Sequence, residues 1–179
     1  IVAILETALF PGGTAISCSD AADGSIAAVI TGGVADYSMQ WTGPNGFSSS
    51  ASGISGLAAG TYCLTVADTN GCTVQSCIEL IAPAQLGLSA TTLDAICGGS
   101  NGTVDLTVNG GTGPFTYAWD NGDNSEDLIG VAAAPYVVQV TDVNGCSIDT
   151  TVLVSGSANL QATGQATGNG CANGTDGTI

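Results

Sequence analysis

The sequence contains no lysine, no arginine and no histidine, against 15 carboxylates, for a formal charge of -15 at pH 7. Nothing in it can neutralise a phosphate backbone, and so acidic a chain is repelled by nucleic acid and by anionic lipid alike. No carboxylate can pair with a basic side chain of its own chain. Each must be solvated, accept hydrogen bonds from amides or hydroxyls, or meet a cation from outside. Catalysis loses its usual groups too, since there is no imidazole or amine base, no guanidinium clamp and no cationic phosphate binder. A carboxylate pair of the glycosidase kind is the one chemistry left, and only three glutamates are present (Glu6, Glu79 and Glu126). These absences read against an enzyme.

Long apolar runs are also missing. No stretch reaches the length of a membrane-spanning helix, and no signal-peptide pattern is present, so any export signal is expected outside this sequence and no membrane insertion is expected. Charged residues make up only 8% of the chain, and its 27 glycines are scattered among Thr, Ser and Val. That composition suits short strands joined by turns and suits long helices badly. Apolar residues, 44% of the total, alternate too regularly for a disordered chain.

What is present is a repeat. Gly60–Cys72 reads GTYCLTVADTNGC and Pro135–Cys146 reads PYVVQVTDVNGC, an offset of 74 residues. In both, Tyr, then Leu or Val, then Val fall on alternate positions (Tyr62, Leu64, Val66; Tyr136, Val138, Val140), the pattern of a half-buried strand. Asp-x-Asn-Gly follows as a tight turn in which Gly and Asn tolerate positive φ, and a cysteine opens the next strand. Upstream, DGSIAAVITGG and NGTVDLTVNGG supply an earlier strand with Ile26, Ala28 and Ile30, or Val104, Leu106 and Val108, on one face. DYSMQW and PFTYAW then place Tyr37, Met39 and Trp41, or Phe115, Tyr117 and Trp119, on one face of a third. About seven short strands per repeat are enough for a small antiparallel sandwich, and the fold class is all-β. The expected organisation is residues 1–7 as the end of a preceding repeat, 8–81 and 82–155 as two full β-sandwich repeats, and 156–179 as the start of a further one. Residues 1–7 are placed so because Ile78–Leu80 and Val152–Val154 hold the same position before the later linkers.

Seven cysteines in so short a chain point to an oxidising compartment. With no CxxC pair and no histidine, zinc is the poorer explanation. The second repeat has only Cys97 and Cys146, the equivalents of Cys18 and Cys72. The simplest connectivity is therefore Cys18–Cys72 and Cys97–Cys146, with Cys171 paired to a residue outside the chain. Cys63 and Cys77 are extra to the repeat. Tyr62, Leu64 and Val66 point inward, so Cys63 points outward, as does Cys77 on the adjacent strand, and Cys63–Cys77 is the expected bridge.

The combination Gly-Gly-x-Gly-Pro-Phe-x-Tyr-x-Trp (Gly110–Trp119) with a terminal Asp-x-Asn-Gly-Cys resembles the SprB repeat, found in tandem in very large surface adhesins of gliding Bacteroidetes. The resemblance covers essentially the whole chain, and repeat one departs from it at GGVADYSMQW and by its added cysteine pair. It implies immunoglobulin-like sandwiches of about 74–79 residues strung into an extracellular, cell-surface fibre. It also implies export by the type IX system and a role in adhesion or gliding motility. The partners so implied are neighbouring repeats and other copies in a fibre.

Two features compete with a purely structural role. Asp120–Asp127 packs four carboxylates and two amides into one loop, which makes Asp120, Asp123 and Asp127 calcium candidates. The loop lacks EF-hand spacing, and repeat one has no carboxylate there, so a solvated acidic turn is the plainer reading. The variable stretches 42–53 and 120–127 are the alternative, as glycan- or surface-binding loops. Binding loops are rich in aromatics, however, and these contain only Phe47. Asn101-Gly102-Thr103 and Asn173-Gly174-Thr175 match the N-glycosylation pattern but are Asn-Gly turns first.

Overall fold

A computed structural model describes residues 1–157. The described residues form thirteen strands and one short 3-10 turn, Pro44–Gly46, with no α-helix. The first seven strands are β1 (Val2–Thr7), β2 (Gly24–Thr31), β3 (Ser38–Thr42), β4 (Ser48–Ser49), β5 (Gly53–Leu57), β6 (Gly60–Ala67) and β7 (Thr73–Leu80). They make two sheets, β1-β2-β5 and β4-β3-β6-β7, with every pairing antiparallel. The remaining six are β8 (Gly87–Leu93), β9 (Gly102–Asn109), β10 (Thr116–Trp119), β11 (Leu128–Val131), β12 (Ala134–Thr141) and β13 (Ser147–Val154). They repeat the plan as β8-β9-β11 and β10-β12-β13, without a counterpart of β4.

The period-2 pattern decides which residues meet. Tyr62, Leu64 and Val66 of β6 are buried, and Trp41 of β3 lies opposite Leu64. They share one core with Ile16, Ile26, Ile54, Leu57 and Leu80. The second core repeats this with Val104, Leu106, Trp119, Leu128, Val138 and Val140. A buried indole must keep its N–H bonded. Trp41 Nε1 donates to Ala51 O at 2.9 Å and Trp119 Nε1 to Ser125 O at 2.9 Å. Near the start of β6 and of β12 a tyrosine hydroxyl turns back on the chain, Tyr62 to Ala58 O at 3.1 Å and Tyr136 to Ala132 O at 3.0 Å. This strand order, a buried Trp on the third strand and a tyrosine corner four residues long define an immunoglobulin-like sandwich. Two residues after each tyrosine, Leu64 and Val138 stand where antibody domains carry a cysteine of the intersheet bridge.

The expected boundary at residue 8 is corrected. Val2–Thr7 pairs with β2 along its whole length, from Val2 opposite Thr31 to Thr7 opposite Ile26. It is thus the first strand of the first sandwich and the counterpart of β8, not the end of a preceding repeat. First and last strands of such a repeat carry the same alternation and adjoin the same kind of Pro/Gly-containing loop, so pattern alone does not separate them. Pro11-Gly12-Gly13 accordingly lies in a loop inside the first sandwich. The linker between sandwiches is the short Ile81–Leu86 segment, held by Gly111 N donating to Ala84 O at 2.9 Å. Gly110 (φ +68) passes so close that an added Cβ would stand 2.0 Å from Gln85 O. Only glycine fits there.

Candidate functional site: the junction between repeats

The site begins with the two Asp-x-Asn-Gly-Cys turns. In each, Gly N donates to Asp O (Gly71 to Asp68 at 3.0 Å, Gly145 to Asp142 at 3.1 Å), and only the glycine takes positive φ, 80° at Gly71 and 87° at Gly145. Asn70 and Asn144 are not in that region. Asp68 and Asp142 are buried, at 8% and 5% exposure, in a chain with no basic side chain to meet them. Backbone amides take that role. Asp68 Oδ1 accepts from Asn70 N at 3.0 Å and Cys72 N at 2.9 Å, and Oδ2 accepts from Val34 N at 3.2 Å. Asp142 does the same with Asn144 N, Cys146 N and Thr112 N, each at 2.9 Å. Burial pushes the Asp68 carboxyl up, but the amides of Cys72, Val34 and Asn70 outweigh it and hold it below its ordinary value. Each carboxylate therefore fixes the turn that carries the cysteine and ties it to the loop after the Gly-Gly pair.

The second turn is docked on the first sandwich. Asn144 Nδ2 donates to Ser17 O at 3.2 Å and to Pro11 O at 3.3 Å, while Asn144 Oδ1 is buried without a partner. Cys146 Sγ lies 3.3 Å from Ser17 O and is bonded to Cys18, with Cα atoms 5.7 Å apart, at the usual separation for a disulfide. Close packing continues at Gly12, where an added Cβ would fall 2.6 Å from Thr112 Cγ2. A cleft of about 400 Å³ remains beside the bridge, lined from both sandwiches by residues including Cys18, Asp20, Leu86 and Ile148.

The connectivity expected within each repeat is therefore corrected. Cys18 is joined to Cys146, across repeats, not to Cys72, and Cys97 is not joined to Cys146. Among the described residues Cys72 and Cys97 are exposed and have no disulfide partner. Cys63 and Cys77 are joined, directly opposite each other on β6 and β7. Cys171 lies outside the described residues, as does Asn173.

The acidic loop does not gather its carboxylates. Asp127 Oδ1 accepts from Leu106 N at 2.9 Å, on β9. Asp123 Oδ1 accepts from Ser125 N at 2.8 Å and from the Ser125 hydroxyl, and the hydroxyl first and the amide second lower its pKa. Asp120 joins neither, and among the described residues no three Asp, Glu or Cys side chains are placed to hold a metal. Asn101 Oδ1 accepts from Ile96 N at 2.9 Å, a structural role in the Cys97 loop. In the loop 42–53, Phe47 packs edge-to-face on Tyr62 with ring centroids 5.4 Å apart. Asn144 and the two buried aspartates are the functional residues that sequence reasoning passed over. Their signal was available, since a carboxylate stands at fixed spacing before each turn cysteine in a chain with no basic side chain to meet it.

The junction and its sandwiches define a tandem immunoglobulin-like, disulfide-linked module. The SprB repeat family model matches it in two regions, residues 14–46 and 89–124. Each region contains a first-loop cysteine, Cys18 or Cys97, and the Gly-Gly pair, while both turn cysteines fall outside them. No curated protein matches the chain. Among solved structures, it is similar to the N-terminal eight Ig domains of Down Syndrome Cell Adhesion Molecule isoform 1.30.30. That match has 14% identity and a TM-score of 0.43, covering 88% of this chain and 25% of that one. It is also similar to fibronectin(III)-like modules of Clostridium thermocellum CbhA (9% identity, 90% of this chain, 100% of that one, TM-score 0.33). A third likeness is to the amphioxus IgVJ-C2 molecule (12% identity, 86% and 96%, TM-score 0.33). The chain thus spans a quarter of the length of the first of these. The two matched regions fall one in each sandwich.

Proposed function

We propose that the chain is a stalk segment of a long cell-surface filament or adhesin, exported by the type IX route, serving adhesion or gliding motility and carrying no catalysis. The observation that carries this reading is the Cys18–Cys146 bond with its Asn144 clamp. Domains joined by a short linker ordinarily move relative to each other unless a large apolar interface holds them. Here a covalent bond and two hydrogen bonds from one side chain hold them instead, which is what a stalk transmitting force requires. The partners are neighbouring repeats of the same kind and other copies within a fibre. Negative-stain electron microscopy of the 179-residue chain tests it. A single narrow distribution of inter-repeat angles is expected, and a broad one overturns the stalk reading.

The second reading is a glycan- or surface-binding module using loops 42–53 and 120–127. The only aromatic of those loops, Phe47, is already packed on Tyr62, which favours the stalk. A glycan array showing saturable binding that is lost on changing either loop would reverse that preference.

A further inference from the structure

We infer that Cys72 and Cys97 are two halves of the bond already made between Cys18 and Cys146. Cys97 takes the turn cysteine of the repeat that follows it, and Cys72 takes the first-loop cysteine of the repeat that precedes it. A run of such repeats is then bonded at every junction, each to the next.

Two observations beyond the free thiols carry this. First, the turn at Cys72 is the turn at Cys146 in every backbone contact. Asp68 binds the amides of residues 34, 70 and 72 as Asp142 binds those of 112, 144 and 146. What differs is the far side. Asn144 is clamped to the carbonyls of Pro11 and Ser17, whereas Asn70 and Cys72 are exposed. Second, the chain leaves both sandwiches along the same path. Ala15 N donates to Ile81 O at 3.0 Å before the linker that brings the second sandwich to Cys18. Ala95 N donates to Ser155 O at 2.8 Å, Ser157 N returns to Ala95 O at 3.0 Å, and Cys97 N reaches Ser157 Oγ at 3.3 Å. The exit strand therefore runs past Cys97 as it does past Cys18, and delivers whatever follows to that loop. Cys97 sits at φ +56, a conformation Cys18 does not share.

The chemistry is thiol–disulfide exchange with a disulfide-bearing oxidant, either an oxidoreductase or oxidised glutathione. One thiolate attacks the oxidant and forms a mixed disulfide, releasing one oxidant thiol. The partner thiolate then displaces the second. Each cysteine gives up one proton and one electron, and the oxidant disulfide is reduced to two thiols.

The inference rests on the stalk reading only in placing further repeats on either side. The test is the full chain extended after Ile179 by a second copy of its own residues 105–157, which completes a third repeat. The appended copy carries Val143→Ile as a mass label. The protein is oxidised dilute in glutathione buffer, alkylated without reduction and mapped by mass spectrometry. Cys97 is expected bonded to the appended turn cysteine, with Cys72 and Cys171 recovered as alkylated thiols. Cys97 recovered as a thiol, or bonded to Cys72 or Cys171, overturns the inference. So does the absence of Cys18–Cys146, because the template itself would be missing. A narrow angle between the first two repeats with Cys97 left free would fault the inference and leave the stalk reading standing.

Discussion

The side-chain amide of Asn144 donates to the carbonyl of Ser17 at 3.2 Å, across the boundary between two sandwiches, and Ser17 immediately precedes Cys18, which is bonded to Cys146. The same amide reaches Pro11 O, so one side chain caps the loop that the first sandwich extends toward the second.

Asn144→Ala removes both bonds and leaves the carbonyl of the buried Ser17 and that of the exposed Pro11 without this donor. The expected cost to docking is about 1–2 kcal/mol, lessened because the unsatisfied Asn144 Oδ1 goes too. Asn70→Ala, at the exposed equivalent, is expected to change stability by less than about 0.5 kcal/mol. Thermal unfolding of the two variants beside the parent checks the contrast, and equal effects would mean that the clamp contributes nothing.

Disulfide mapping of the unreduced chain should return Cys18–Cys146 and Cys63–Cys77. Cys18→Ser should leave both sandwiches folded, since each has its own core, while hydrogen exchange rises around Thr112 and Asn144. A Cys18–Cys72 peptide would refute the junction.

Asp68 gives the chain an acid sensitivity with a definite sign. Its folded pKa lies below its ordinary value, so the stability it contributes is present above that ordinary value and is lost as pH falls through the folded one. Asp68→Asn should therefore lower the melting temperature at pH 7 and narrow the gap to the parent as pH drops below about 4. A gap independent of pH would show that the carboxylate charge does not hold the turn.

Trp41→Ala and Trp119→Ala should each cost about 3–5 kcal/mol, because each removes a buried ring and strands a carbonyl, Ala51 or Ser125. Two separated unfolding transitions, one shifted by each variant, are the expected signature in calorimetry, and a shift of neither would contradict the core assignment.

Proteolysis reads the bridges directly. Trypsin has no site in this sequence, folded or unfolded. Chymotrypsin has sites such as Tyr62 and Trp119, reached only on opening. Digestion at Tyr62 should be slow with the disulfides closed and faster after reduction, because its strand carries the Cys63–Cys77 bridge, while Trp119 stays protected by its own core. Equal rates at Tyr62 would mean that this bridge does not hold its sandwich.

What the residues alone determined was local. A period of two set the inward faces of β6, β9 and β12, because successive side chains of a strand must alternate. Outward parity likewise leads from Cys63 to Cys77, which lie opposite each other in one hairpin. The absence of basic side chains left a buried carboxylate only amides, hydroxyls or an outside cation to meet, and Asp68 and Asp142 meet amides. Tertiary structure decided the rest. Val2–Thr7 carries a pattern shared by first and last strands, and only its pairing with β2 assigns it. Asp127 turned to Leu106 N, 21 residues away on β9. The partner of Cys18 was the least legible of all. Every repeat offers one first-loop and one turn cysteine, and pairing within or between repeats satisfies that pattern equally. Cys18 found Cys146, 128 residues away, because the linker and the Asn144 clamp set one sandwich against the next, and a contact between domains leaves no period in the sequence of either.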